Sequence, residues 1–329
     1  MANTAYAIFL ETSCILGIVG TIIGVGANII NIIIFNKQGF KDATSITLTA
    51  LSVGDMGMLL TGLVYNLLIN PWLAMADVTN ELDYVLDLLS LFPQYYFTKV
   101  CGVVAAFSAL EKCMCVVFPL HVKQFITRRI AITVNIGAYI FMLSGIIPLY
   151  NNLYLEWEFS PFRNRSLITL EVRDFAHIDE FITLIYSTDL SILYLSLLCI
   201  FTCNIIIAVK LRLQSKWKRS FRSTGQHFIR ADSKQKKKIL MMLFTTSIFF
   251  LFCLFPKSAA YTSIFMTANY RSKDVAVAFY LVSSLTESAN SSLTSLFYYS
   301  MSSNYKKSLL EVFSCFRGSS LGTQEKNQC

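Results

Sequence analysis

Seven stretches of this chain are apolar for long enough to cross a lipid bilayer, and nothing else in the sequence constrains the fold as strongly. They run roughly over 9–35, 45–69, 84–118, 131–150, 182–209, 239–266 and 275–299. About 20 apolar residues are enough for one crossing. Within hydrocarbon every backbone N–H and C=O must be satisfied internally, so an open segment can span only as a helix. Residues are 54% hydrophobic and only 15% charged, whereas a soluble domain is about a quarter charged. The expected fold is all-α: a seven-transmembrane helix bundle over 1–299, then a tail over 300–329, with no repeats or low-complexity tracts.

Charge placement predicts the orientation. The loops after spans one, three and five, together with the tail, hold 20 of the 28 Lys and Arg. The other side holds Arg163, Arg165, Arg173, Arg271 and Lys273, among acids such as Asp77, Glu81, Glu156 and Glu158. Cytoplasmic loops collect cations, so a multi-pass protein of the plasma membrane is expected, amino terminus outside and carboxyl terminus inside. The sequon Asn164-Arg165-Ser166 then falls in the largest outer loop, 151–181, as a candidate glycosylation site. The net charge of +8 suits an anionic inner leaflet rather than nucleic acid. No cleavable signal peptide is visible in "MANTAYAIFLETSC", so the first span is expected to serve as its own signal. None of the nine cysteines lies in an outer loop, and no exofacial disulfide is expected.

Beyond span seven, Tyr305, Leu309, Val312 and Phe316 recur at helical spacing. That pattern predicts a short amphipathic membrane-surface helix over about 304–316. Cys315 beside it is a candidate for palmitoylation, or else a free thiol. The basic loop 211–238 is either a solvated connector or a surface for a cytosolic partner.

Charges inside membrane helices are costly and mark function by default. Here they are Asp55, Lys99, Glu111, Lys112, Asp189, Lys257 and Glu287. Lys99 lies 13 residues outward of Lys112, about 20 Å at helical rise. Lys99, Lys257, Asp189 and Glu287 thus form an outer-half set of two cations and two anions. They either pair internally and hold the bundle together, or line an outward pocket for a ligand bearing both charge signs. Gln94 and Tyr261 join them as candidate ligand contacts. Enzyme readings find little support: His121, His177 and His227 all lie in loops, and no Ser/His/Asp set is evident.

At this point the residues resemble a known family. "GANIINIII" with Asn28, "LTALSVGDMGMLL" with Asp55, "EKCMCVVFPL" with Glu111, Lys112 and Cys113, "FFLFCLFP" with Phe250, Cys253 and Pro256, and "NSSLTSLFYYSMSSNYKK" with Asn290 and Tyr298 are similar to successive signatures of rhodopsin-like G-protein-coupled receptors. Within that family "NKQGFKDATSITLTALS" and "NPW" resemble chemosensory receptors of gastropod molluscs, with FMRFamide-type neuropeptide receptors as the neighbouring alternative. The resemblance implies a heterotrimeric G protein as partner, a small polar molecule or peptide as ligand, and no cofactor beyond an allosteric sodium ion at Asn28, Asp55, Cys101, Asn290 and Ser291. It implies that Glu111, Lys112, Cys113, Phe250, Pro256 and Tyr298 form the activation switch and coupling surface, with Glu111 holding Lys112 in the resting state. A seven-span channel or transporter is the competing class. The chain departs from the pattern at Lys112 (arginine in the family), Leu254 (tryptophan), Thr294-Ser295 (Asn-Pro) and Asp87 (cysteine).

Overall fold

The computed structural model describes residues 2–40, 42–68, 87–119, 121–160, 164–172, 178–220, 273–301, 305–312 and 314. In the sixth segment it describes 244–245, 248–249, 251–253, 255 and 258, all helical. Span one is Ala2–Lys37, span two Ala43–Leu68, span four Arg128–Asn152, span five Ile178–Ser220 and span seven Lys273–Met301. Span three is Phe92–Val117, entered through a π-helical turn at Asp87–Leu91. Pro93 sits in its first turn, directly after that π-helical turn. By length and composition five of the described helices can cross a membrane: Ile8–Lys37, Ala43–Leu67, Leu88–Val117, Arg128–Asn152 and Ser187–Lys210. The architecture is a seven-helix bundle.

Turn chemistry fixes the joints. Span one ends at Gly39, whose φ of 83° is open to glycine at no steric cost, and its N–H bonds to the Asn36 carbonyl at 2.8 Å. Thr127 starts span four, its hydroxyl accepting from the Ile130 N–H at 3.3 Å. The segment between spans four and five, expected only as a loop, contains two strands. Strands β1 (Leu153–Ser160) and β2 (Arg165–Val172) pair antiparallel, Leu153 opposite Val172 and Ser160 opposite Arg165. The alternation in "LYLEWEFS" was their signal.

The bundle is apolar outside and polar inside. Ile15, Ile22, Phe141, Leu195 and Leu198 face outward, while Asn28, Asn66, Asp55, Gln94, Glu111, Lys112, Glu287 and Asn290 are buried. Span three lies at the centre, packed against spans two, four and five, and span one packs against two and seven. Phe244 and Leu251 of the sixth segment pack on the cluster that joins spans three and five through Ala109, Cys113, Ile200 and Cys203. The predicted surface helix is present over 305–312. Its Tyr305 is buried against Phe35 and Tyr298, and the phenol donates to Asn31 Oδ1 at 2.6 Å. Burial pushes this phenol up to about 12, so it stays a neutral donor. Lys37 pairs with Glu311 at 3.1 Å, tying the surface helix to span one.

Spans two and three approach closely at Gly57, where an added Cβ would stand 2.4 Å from the Phe97 ring. Gly57→Val is expected to destabilise by about 1–3 kcal/mol, the usual cost of overpacking. Gly26→Val, with nothing within 4 Å of its added Cβ, should leave thermal unfolding of the purified chain unchanged. Equal melting of the two variants would contradict this packing.

Candidate functional site

The site is built on span three, whose residues 94, 98 and 101 fall on one helical face. Gln94 Nε2 donates to Glu287 Oε2 of span seven at 3.3 Å. One turn inward, the Thr98 hydroxyl lies 3.3 Å from Glu287 Oε1 and 2.9 Å from the Gln94 carbonyl, sharing one proton between them. The Tyr280 hydroxyl donates to Gln94 Oε1 at 2.7 Å. Beside this knot, Lys99 Nζ pairs with Asp189 Oδ1 of span five at 2.7 Å. A cavity of about 20 Å³ touches Tyr95, Thr98, Lys99 and Asp189, so the two polar groups adjoin.

Inward of Glu287, another cavity of about 20 Å³ is lined by Thr98, Cys101, Cys253, Asp55 and Asn290. It is large enough for a single water, which needs roughly 10–15 Å³. The Cys101 thiol bonds to the Asp55 carboxyl, while Asp55 Oδ1 has no hydrogen-bond partner. A third cavity, about 30 Å³, runs on from Asp55 and Asn290 to Ser108, Lys112, Thr294 and Tyr298. Buried polar groups therefore form a line from Tyr280 to Lys112.

Two expectations need correction. Glu111 and Lys112 attract at a distance but form no direct ion pair: among the described residues the ion pairs are Lys37–Glu311 and Lys99–Asp189. Instead Glu111 Oε1 accepts from the Thr47 hydroxyl of span two at 3.0 Å, and Asn135 of span four donates to the same hydroxyl at 3.1 Å. Adjacent helical side chains diverge by roughly 100° around the axis, so neighbours in sequence are poorly placed to pair. Asn28 and Ser291 line neither of the cavities at Asp55. The Asn28 amide donates to Ser291 Oγ at 2.5 Å and to the Gly24 carbonyl at 2.9 Å, joining spans one and seven.

Of the remaining candidates, Cys113 packs between spans three and five and Tyr298 packs edge-on against Phe35. Asn164 stands exposed at φ 49° in the turn between β1 and β2. Phe250, Pro256, Lys257, Tyr261 and Cys315 lie outside the described residues. Sequence reasoning missed Thr47, Thr98, Asn135 and Tyr280. Thr47 and Tyr280 were findable by spacing: Thr47 is two turns from Asp55, and Tyr280 is two turns from Glu287.

Among the described residues no three His, Cys, Asp or Glu side chains are grouped to hold a metal ion. A monovalent cation asks less. The unpartnered Asp55 oxygen and the oxygens of Thr98 and Asn290 around a water-sized cavity fit sodium in charge and size, although the Cys101 thiol is a soft neighbour for a hard ion.

No curated protein sequence matches the chain. A family model described as 7 transmembrane receptor (rhodopsin family) matches residues 27–298.

Thr47→Val removes the donor to Glu111 and the acceptor for Asn135. It should cost about 1–3 kcal/mol, the price of stranding buried polar groups, while Thr47→Ser should melt close to wild type. Thermal unfolding of the two variants checks this. Parity between Val and Ser would show that the hydroxyl does not hold the carboxylate.

Proposed function

The chain belongs to the rhodopsin family of seven-transmembrane receptors, and from that premise we propose that it is a chemosensory receptor of the plasma membrane for a small polar extracellular ligand. The family is one of membrane receptors that bind a ligand and signal through G proteins. In this reading the amino terminus is outside, Asn164 carries glycan, the tail is cytoplasmic, and Cys315 is palmitoylated.

The observation that carries the proposal is Glu287, held by Gln94 and Thr98 across spans three and seven and joined through water-sized cavities to Asp55 and Lys112. A ligand ammonium that meets Glu287 competes for its bonds to span three. That loosens the contact between spans three and seven at the outer end. The cavities below it leave room for Asp55, Asn290 and Tyr298 to repack. At the inner mouth, Lys112 is buried against that same line rather than clasped by Glu111. Repacking frees the ammonium to turn toward the G protein, while Thr47 and Asn135 keep Glu111 in place. The ligand drives this only by preferring the open state, with about 5 kcal/mol of preference needed for a near-complete shift. A sodium ion held by Asp55 with Thr98 and Asn290 would supply a counter-charge to that carboxylate.

A panel of amino acids and short peptides, read through several G-protein classes, should yield at least one agonist. Glu287→Gln should weaken its potency about tenfold or more, as loss of a charge-assisted bond implies, at unchanged surface expression. Ligand-evoked current that persists without any G protein would favour a channel instead. Replacing choline by sodium at constant ionic strength should raise the melting temperature of the wild type and leave Asp55→Asn unchanged. Absence of a sodium-specific rise in the wild type would remove the ion from the account.

A further inference from the structure

One polar-floored cavity among the described residues opens to the side of the bundle, off the line from Glu287 to Lys112. A crevice of about 490 Å³ opens between spans three, four and five, within the roughly 300–1,000 Å³ usual for ligand pockets. Its floor is the Lys99–Asp189 ion pair, whose side chains remain 11% and 16% exposed. Its walls include Phe141, Met142, Pro148 and Ile192, with Ser144 and Ser191 at the lip. Phe141 is 65% exposed and stands on the outward, apolar face of span four. Lys99 lies 11 residues from Leu88, the near end of its apolar stretch, a depth of about 16 Å. The mouth therefore faces the acyl chains of the bilayer rather than water.

We propose that this crevice binds a long-chain carboxylic acid that enters from the bilayer, its head on the Lys99–Asp189 pair and its tail along span four. An ammonium has three donors, and the Lys99 bond to Asp189 Oδ1 uses one. Gly145 lies against the Lys99 Nζ, so that an added Cβ would touch it at 3.6 Å, and the missing side chain leaves that side of the ammonium uncovered. The floor thus offers a donor and an acceptor side by side. A neutral carboxyl group carries the complementary acceptor and donor, C=O to Lys99 and O–H to Asp189. It adds no net charge beside the ion pair, where a lone anion in hydrocarbon is costly. The lip hydroxyls do not compete, since Ser144 and Ser191 donate to the Phe141 and Ser187 carbonyls. The wall is apolar, as an acyl chain requires. The same ion pair also borders the internal cavity at Thr98, so an acid seated there sits one side chain away from the Glu287 knot.

The proposal needs neither an agonist nor a G protein, so its failure leaves the receptor reading intact. The test uses the purified full chain in discs of zwitterionic phospholipid and a palmitic acid analogue carrying a tail diazirine and an alkyne. Photolabelling should concentrate on residues 141–148 and 187–192. Unlabelled palmitic acid should compete, and methyl palmitate, which lacks the O–H donor, should not. Ser144→Trp, which blocks the exposed lip sterically, should cut labelling about tenfold, a loss of roughly 1.4 kcal/mol, without lowering the melting temperature. The paired change Lys99→Met with Asp189→Leu, which strands neither charge, should cut it as far. Equal labelling on the outward face of span one at Ile15 and Ile22, or equal competition by the methyl ester, would overturn the site. The ester comparison is made on the wild type and stands even if a variant fails to fold.

Discussion

Hydrocarbon offers no hydrogen bonds, and this structure is the consequence of that single deprivation. A polar side chain that enters the bundle finds its partner on another helix or on its own, because the bilayer will not supply one. Glu287 is met by Gln94 and Thr98, Lys99 by Asp189, Glu111 by Thr47, Asn28 by Ser291 and Asn66 by Ser284. Each of these pairs joins two different spans. Together they hold the spans in one arrangement, since lipid-facing leucines and isoleucines are nearly indifferent to rotation of their helix.

The same logic makes the bundle responsive. Packed apolar contacts between spans three and five through Ala109, Ile200 and Ile207 form a firm inner joint. The axis above it is polar and contains water-sized gaps at Asp55. A gap beside an unpartnered carboxylate oxygen is a place where the interior can adopt a second arrangement at little steric cost. An outer ligand and an inner transducer can then be coupled through the choice of hydrogen-bond partners, without a large deformation of any one helix.

Much of this was legible in the sequence, and the reasons are physical. Apolar runs long enough to span report directly on partition between lipid and water, which is local to each segment. That Lys99, Asp189 and Glu287 sit on spans three, five and seven followed from the apolar runs alone. Partner choice did not follow, because it depends on rotation about each helix axis and on which span stands adjacent. Glu111 and Lys112 looked like a pair in sequence, yet Glu111 turns to Thr47 and Lys112 turns inward. Asn28 and Ser291 were grouped with Asp55 by resemblance, but they meet each other instead. The β1–β2 hairpin was passed over because a long loop between two spans draws no attention to a period of two.

Seven crossings are an odd number, which puts the two chain ends on opposite faces of the membrane, as the proposed orientation requires. Different epitopes placed at the two chain ends and stained in intact and permeabilised cells test that most directly. The account requires the amino-terminal tag to stain in intact cells and the carboxyl-terminal tag only after permeabilisation. Both tags on one face of the membrane would contradict it.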